Sequence, residues 1–153
     1  MNKKGFTLIE LLIVIAIIAI IAGMVFVALN PLQRFKDARD SRRWGDVSSI
    51  LSAVKINQVD KKGLYIPEIE AMPVDTGQVI GTAPAGCACG NLGVLGCVNL
   101  SNLATGGYLA SVPLDPKNGT AANTGYYLVK MSNGTIRVGA CAPEAAGAIE
   151  ASR

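Results

Sequence analysis

Met1-Asn2-Lys3-Lys4-Gly5-Phe6-Thr7-Leu8-Ile9-Glu10-Leu11-Leu12 opens the chain, and the run from Ile13 to Leu29 that follows carries no charge. Between Leu11 and Leu29 there are only Leu, Ile, Val, Ala, Met, Phe and one Gly. At about 1.5 Å per residue a helix of this length crosses a hydrocarbon layer of about 30 Å. The basic stretch before it is short, and the apolar run exceeds the h-region of an ordinary secretory signal. No Ala-x-Ala cleavage site follows, since Ala16, Ala19 and Ala22 are three apart. A plain single-span anchor accounts for the length but leaves Glu10 unexplained.

Glu10 stands where the helix enters hydrocarbon, between Leu8, Ile9, Leu11 and Leu12. An ionised side chain in mid-span costs about 2.5–3.5 kcal/mol on insertion scales and less near the interface, so an unpaired carboxylate here needs a reason: either it snorkels to the interface or it meets a cationic partner. Cleavage between Gly5 and Phe6 would create one: a new α-amino group one helical turn from Glu10, within reach of the Glu10 of a neighbouring copy.

The segment Met1–Leu12 resembles the class III leader and N-terminal motif of type IV prepilins and type II secretion pseudopilins. The matching residues are Gly5 before the cut, Phe6 after it, Thr7, and Glu10 four residues beyond Phe6, followed by the apolar span. The resemblance implies that a prepilin peptidase cleaves after Gly5 and methylates the amine of Phe6. It also implies that Glu10, assisted by Thr7, pairs with a neighbour's N-terminus as the subunit joins a helical homo-oligomer. An assembly platform and a motor ATPase would be further partners, with the inner membrane holding the precursor and the cell surface the filament.

The implied fold is α+β: a long N-terminal helix, half transmembrane and half amphipathic, packed on a small antiparallel β-sheet head. The expected division is a leader at 1–5, a transmembrane and filament-core helix at 6–30, an amphipathic helix at 31–62 and a loop-rich head at 63–153. Small residues Ala16, Ala19, Ala22 and Gly23 along one face would let helices approach closely. Pro31 removes a backbone donor and predicts a kink or a loosened turn.

Beyond Pro31, Trp44, Val47, Leu51 and Val54 recur at helical spacing with Ile50 beside them, which predicts a stripe facing the head. Arg39, Asp40, Arg43 and Asp46 read as the opposite face, suited to solvent or neighbouring subunits. Gly63 predicts the helix stop. Segments 36–43 and 63–67 also resemble the pilin helix and the turn after it. Region 34–62 is a basic collar interleaved with acids, with the chain beyond it slightly acidic. The five cations of 34–43 against Lys3 and Lys4 favour a cytoplasmic C-terminal side by the positive-inside rule. The leader, which must face the cytoplasm to be processed, overrides that rule.

In the head, Tyr126–Met131 and Thr135–Val138 flank Asn133-Gly134 and predict a hairpin with a type I′ turn. Region 67–125 is rich in Gly, Pro, Ala, Asn and Thr and predicts loops with short strands. Cys87, Cys89, Cys97 and Cys141 are candidate disulfide partners, an even number suited to an exported domain. Their spacing disfavours a bond within Cys87-Ala88-Cys89 and leaves the remaining pairing open. Val112–Pro116 resembles the Pro-x-Asp-Pro segment before the last strands of pilins and pseudopilins. Some pseudopilins hold calcium near this point, but Asp115 and Asn118 are too few oxygens for a six- to eight-ligand site, and a turn is the reading preferred.

Asn99-Leu100-Ser101, Asn118-Gly119-Thr120 and Asn133-Gly134-Thr135 match the Asn-x-Ser/Thr acceptor pattern. No histidine, phosphate-cradling Gly-rich loop or activated nucleophile is present, so the chain reads as a structural subunit with no catalytic residue, metal or cofactor. A filament for adhesion, motility or DNA uptake is the leading function. A secretion pseudopilin is the alternative within the family, and a tip module that binds DNA or a surface through the basic collar is the alternative from another class.

Overall fold

The computed structural model describes residues 5–83, 87–90, 96–145 and 147–153. The chain divides into two units, up to Phe35 and from Lys36 onward.

The first unit holds helix α1, Leu8–Leu29. Thr7 caps its start, and no residue of α1 is buried. Asn30 adopts a left-handed conformation at the C-cap, φ 40°, a region that Asn tolerates better than most residues. Pro31 then begins helix α2, Pro31–Asp60. The first helical position suits proline, because its missing N–H has no intrahelical partner there. The interruption is therefore a one-residue left-handed C-cap followed by a proline N-terminus.

In the second unit α2 packs on a five-stranded sheet in the order β2-β1-β3-β4-β5. The strands are β1 Gly77–Ile80, β2 Cys97–Val98, β3 Tyr126–Lys130, β4 Ile136–Ala140 and β5 Glu150–Ser152. All neighbouring pairs are antiparallel except β1 with β2. The architecture is α+β and pilin-like, as the sequence implies. Short helices α3, Pro67–Glu70, and α4, Ser101–Thr105, lie in the connections.

Register separates the two faces of the sheet. Leu128 pairs with Val138 and Tyr126 with Ala140; these side chains join Val47, Ile50, Leu51 and Val54 of α2 in the main core. Val79, opposite Tyr127, turns to the other face, where both pack with Cys89 in a second cluster.

Three local expectations are corrected. Trp44 is 42% exposed: the buried positions of α2 run Asp40, Arg43, Val47, Ile50, Leu51, Ala53, Val54 and Asn57, so Trp44 falls off the stripe. Arg39, Asp40, Arg43 and Asp46 do not form a solvent face, for all four are engaged by the head, as described below. The β3–β4 connection is not a type I′ turn, which needs positive φ at both central residues. Only Gly134 has it, at 80°. Gly134 N–H donates to Met131 O and Met131 N–H to Thr135 O, the pattern of a three-residue loop with a glycine bulge.

The end of α2 also shifts by one residue from the expected stop. Lys62 takes the left-handed position, φ 59°, while Gly63 N–H reaches Gln58 O and Lys62 N–H reaches Val59 O. These two bonds make a Schellman cap in which Gly63 is the residue after the left-handed one.

Candidate functional site

The amino-terminal site is built by one capping interaction. Thr7 has extended backbone angles and its Oγ1 accepts the Glu10 N–H at 3.3 Å. Glu10 reaches back, and its Oε2 accepts both the Thr7 N–H and the Thr7 hydroxyl at 2.8 Å. This reciprocal capping box satisfies donors that a helix end otherwise leaves open. It fixes the Glu10 carboxylate on the N–H of the peptide bond that follows Phe6. Phe6 is 84% exposed, and Gly5 has nothing within 4 Å of a Cβ position, so both sides of the Gly5–Phe6 bond are open. The sequence places these residues together by spacing alone; the mutual bonding of Thr7 and Glu10 is what the structure adds.

A second constellation, in the head, escaped the sequence reading. Arg43 is fully buried. Its Nε donates to Asp115 Oδ2 at 2.6 Å and its Nη2 to Asp115 Oδ1 at 3.1 Å, a bidentate pair. Its Nη1 reaches Asp40 Oδ1 at 2.7 Å and Glu144 Oε2 at 3.3 Å. Arg39 pairs with Glu144 as well, and Lys117 Nζ lies 2.7 Å from Glu144 Oε1. Asp40 also accepts the N–H groups of Glu144 and Ala145. Next to this set, the Tyr126 hydroxyl donates to Asp46 Oδ2 at 2.6 Å.

Three segments far apart in sequence are thereby fastened to two successive turns of α2, Arg39 to Asp46. Asp115 brings the 112–116 loop, Glu144 the segment after β4, and Tyr126 the start of β3. Asp115 Oδ1 further accepts the Lys117 and Asn118 N–H groups, so Asp115 and Asn118 sit in a turn whose carboxylate is committed to Arg43. Among the described residues no group of three or more His, Cys, Asp or Glu is arranged to hold a metal. Around Asp40, Asp115 and Glu144 the guanidinium occupies the centre.

The protonation equilibria follow from this geometry. Asp115 raises Arg43 above its usual range, against burial that lowers it, with Asp40 adding to the rise. Burial pushes Asp115 up, but the Arg43 guanidinium and the two backbone N–H groups outweigh it and leave its carboxyl below the ordinary value. Arg39, then Lys117 and Arg43, hold Glu144 down at about 2. Folded-state carboxyl values below those of the unfolded chain mean stability that is fully present above about pH 4 and lost as pH falls toward 2. Urea midpoints of the full chain in detergent should therefore be flat from pH 7 to about 5 and fall steeply below about 4. In Glu144→Gln that acid slope should be shallower; a slope identical to that of the unsubstituted chain would show that Glu144 does not carry it.

The four cysteines are bridged as Cys87–Cys97 and Cys89–Cys141. The basic collar is thinner than the sequence suggests: Arg39 and Arg43 are paired with carboxylates, Arg42 leans on Asp46 at 3.9 Å, and Lys55 donates to Gln58 and Tyr65. Asn99, Asn118 and Asn133 are all exposed. Asn99 and Asn133 each accept bonds from the Ser or Thr two residues on.

Residues 1–26 match the family model described as the prokaryotic N-terminal methylation motif. No curated protein and no solved structure is significantly similar to the chain.

Proposed function

We propose, from the premise that this chain carries the class III prepilin leader of the type IV pilin and pseudopilin family, that it is the structural subunit of a type IV pilus-like extracellular filament. The observation that carries the reading is Glu10: a carboxylate at the head of an apolar helix with no buried residue, tied to Thr7 just beyond the cleavable bond. Prepilin peptidase removes residues 1–5 and methylates Phe6. The subunit waits in the inner membrane until the assembly platform and its motor draw α1 into the filament core.

In the precursor, Oε2 of Glu10 serves its own helix cap. After cleavage the Thr7 N–H stays available to it, and a carboxylate has about four lone-pair sites, so the cap and a neighbour's ammonium can be accepted together. The pairing answers the cost of carrying a charge into an apolar environment, because two opposite charges in low dielectric attract strongly. Two disulfides in the head support a filament exposed to an oxidising exterior.

Glu10→Gln and Glu10→Leu subunits should insert in the membrane and be cleaved, while filament yield falls by about tenfold or more, the loss of a charge-assisted bond at every subunit. The measurements are membrane fractionation, mass spectrometry of the mature N-terminus and filament counts by electron microscopy. An unprocessed Met1 terminus in the unsubstituted protein would end the prepilin reading. Full filament yield from both variants would end the pairing mechanism alone.

A further inference from the structure

One oxygen of a half-buried carboxylate on the head lacks a partner. Glu68 Oε1 accepts the Asn102 Nδ2–H at 2.5 Å. Glu68 Oε2 is closed off from solvent and has no hydrogen-bond donor, alone among buried side-chain oxygens and nitrogens of the described residues. A buried acceptor left open costs about 1–3 kcal/mol, more when charged, so native proteins seldom keep one without a purpose. Glu68 lines a cavity of about 370 Å³, together with Ala71, Met72, Gln78, Val98 and Asn99.

The walls of that cavity define what it would take. Gln78 is opposite Leu128 across the β1–β3 ladder, which puts a carboxamide on the core-facing side of the sheet, where an apolar residue would be the ordinary choice. Asn99 Oδ1 is already used by Ser101, so Glu68 and Gln78 supply the available side-chain acceptors. Ala71, Met72 and Val98 supply apolar surface beside them. A divalent metal needs about six oxygens or more, or near-ideal octahedral geometry, and one carboxylate with one carboxamide falls short. An organic ammonium needs only two or three acceptors and gains from the apolar wall along its carbon chain.

We infer that this cavity binds a primary alkylammonium group of about the size of a lysine side chain, its nitrogen on Glu68 and Gln78 and its chain against Ala71, Met72 and Val98. The carboxylate reaches the ligand by turning about its terminal torsion, which is broad and two-fold for Glu. The Asn102 amide follows or exchanges oxygens. The site lies wholly in the head and does not depend on filament assembly.

The test is titration of the full-length protein in detergent micelles with n-butylammonium chloride, read by amide ¹H–¹⁵N spectra, with n-butanol and magnesium chloride as parallel titrants. Saturable shifts confined to the amides of residues 68–72, 78 and 97–102 are expected with the amine and absent with the alcohol. Affinity should drop by about tenfold in Glu68→Gln, which keeps the acceptor for Asn102 but loses the charge. Gln78→Ala, at a half-buried position of β1, should weaken binding with a spectrum otherwise unchanged, and gives an independent reading if Glu68→Gln folds poorly. Equal shifts with butanol, stronger ones with magnesium, no saturable shift with the amine, or amine binding untouched by both substitutions would each overturn the assignment.

Discussion

Arg43→Met should lower the unfolding free energy by about 3–5 kcal/mol, the usual cost of removing one partner from a buried ion pair. Asp115 and Asp40 are 7% and 4% exposed, so neither carboxylate can recover its hydration once the guanidinium is gone. Methionine fills much of the arginine stem's volume, which keeps cavity formation out of the result. Asp40 retains the Glu144 and Ala145 N–H groups and Asp115 those of Lys117 and Asn118, so the loss is bounded rather than total. Arg43→Lys should fall between the two, because an ammonium is a point charge that cannot satisfy Asp115 through two parallel bonds. In the double variant Arg43→Met/Asp115→Leu only part of the loss should return, since the Asp115 charge is removed with its partner while Asp40 still lacks the guanidinium. Urea unfolding of the full chain in micelles, followed by the fluorescence of Trp44, measures all three. A single-variant loss under about 1 kcal/mol would mean that the cluster is solvated and behaves as a surface pair.

The same cluster shows where reading the chain stops. The leader and α1 were legible because every residue that matters lies within one short segment whose spacing is its own evidence. The stripe Val47, Ile50, Leu51 and Val54 was legible because apolar residues at helical period have one explanation. Asp40 and Arg43 continue that stripe toward the N-terminus at the same spacing, yet charged residues among other charges read as a wet face. Their partners Asp115 and Glu144 lie 72 and 101 residues from Arg43, and nothing local announces them. The period alone does not separate the two positions: 43 precedes Val47 by four and Ile50 by seven, while Trp44 precedes Val47 by three and Leu51 by seven, so both spacings are helical and only the head's carboxylates decide that 43 faces inward.

Strands divide in the same way. β3 and β4 are adjacent in sequence, rich in β-formers and joined by a glycine turn, so their pairing is local. β1, β2 and β5 are two to four residues long, and each is a strand only because a neighbour offers a ladder. β2 even pairs in parallel with β1, held where the Cys87–Cys97 bridge brings the chain back. Position 78 shows what remains hidden in such strands, for its carboxamide becomes informative only when the ladder fixes which face it occupies. The pairing of the cystines was equally closed to inspection, since two of the three pairings of four cysteines avoid the Cys87–Cys89 bond and only topology chooses between them.

Removing the Cys89–Cys141 bridge by a double serine substitution should cost about 4 kcal/mol on the chain-entropy account, for a separation of 52 residues. The Cys87–Cys97 bridge, with a separation of 10, should cost about 3 kcal/mol on the same account. Burial widens the gap. Cys89 is 1% exposed and packs with Val79 and Tyr127, so a serine there puts a hydroxyl into an apolar cluster, whereas Cys87 and Cys97 are only half-buried. The longer bridge also joins the loop after β1 to the end of β4, across β3, and so restrains the sheet at three strands. The shorter one ties the chain after β1 to the first residue of β2. Urea midpoints for the two double variants should fall in that order, and reduction of the unsubstituted chain should bring it below either. A head carrying the 89/141 substitutions that unfolds at the urea concentration of the unsubstituted chain would show that this crosslink contributes nothing to the fold. Reversal of the order would assign the stabilisation to the Cys87–Cys97 bridge instead, and with it the role of fixing β2 against β1.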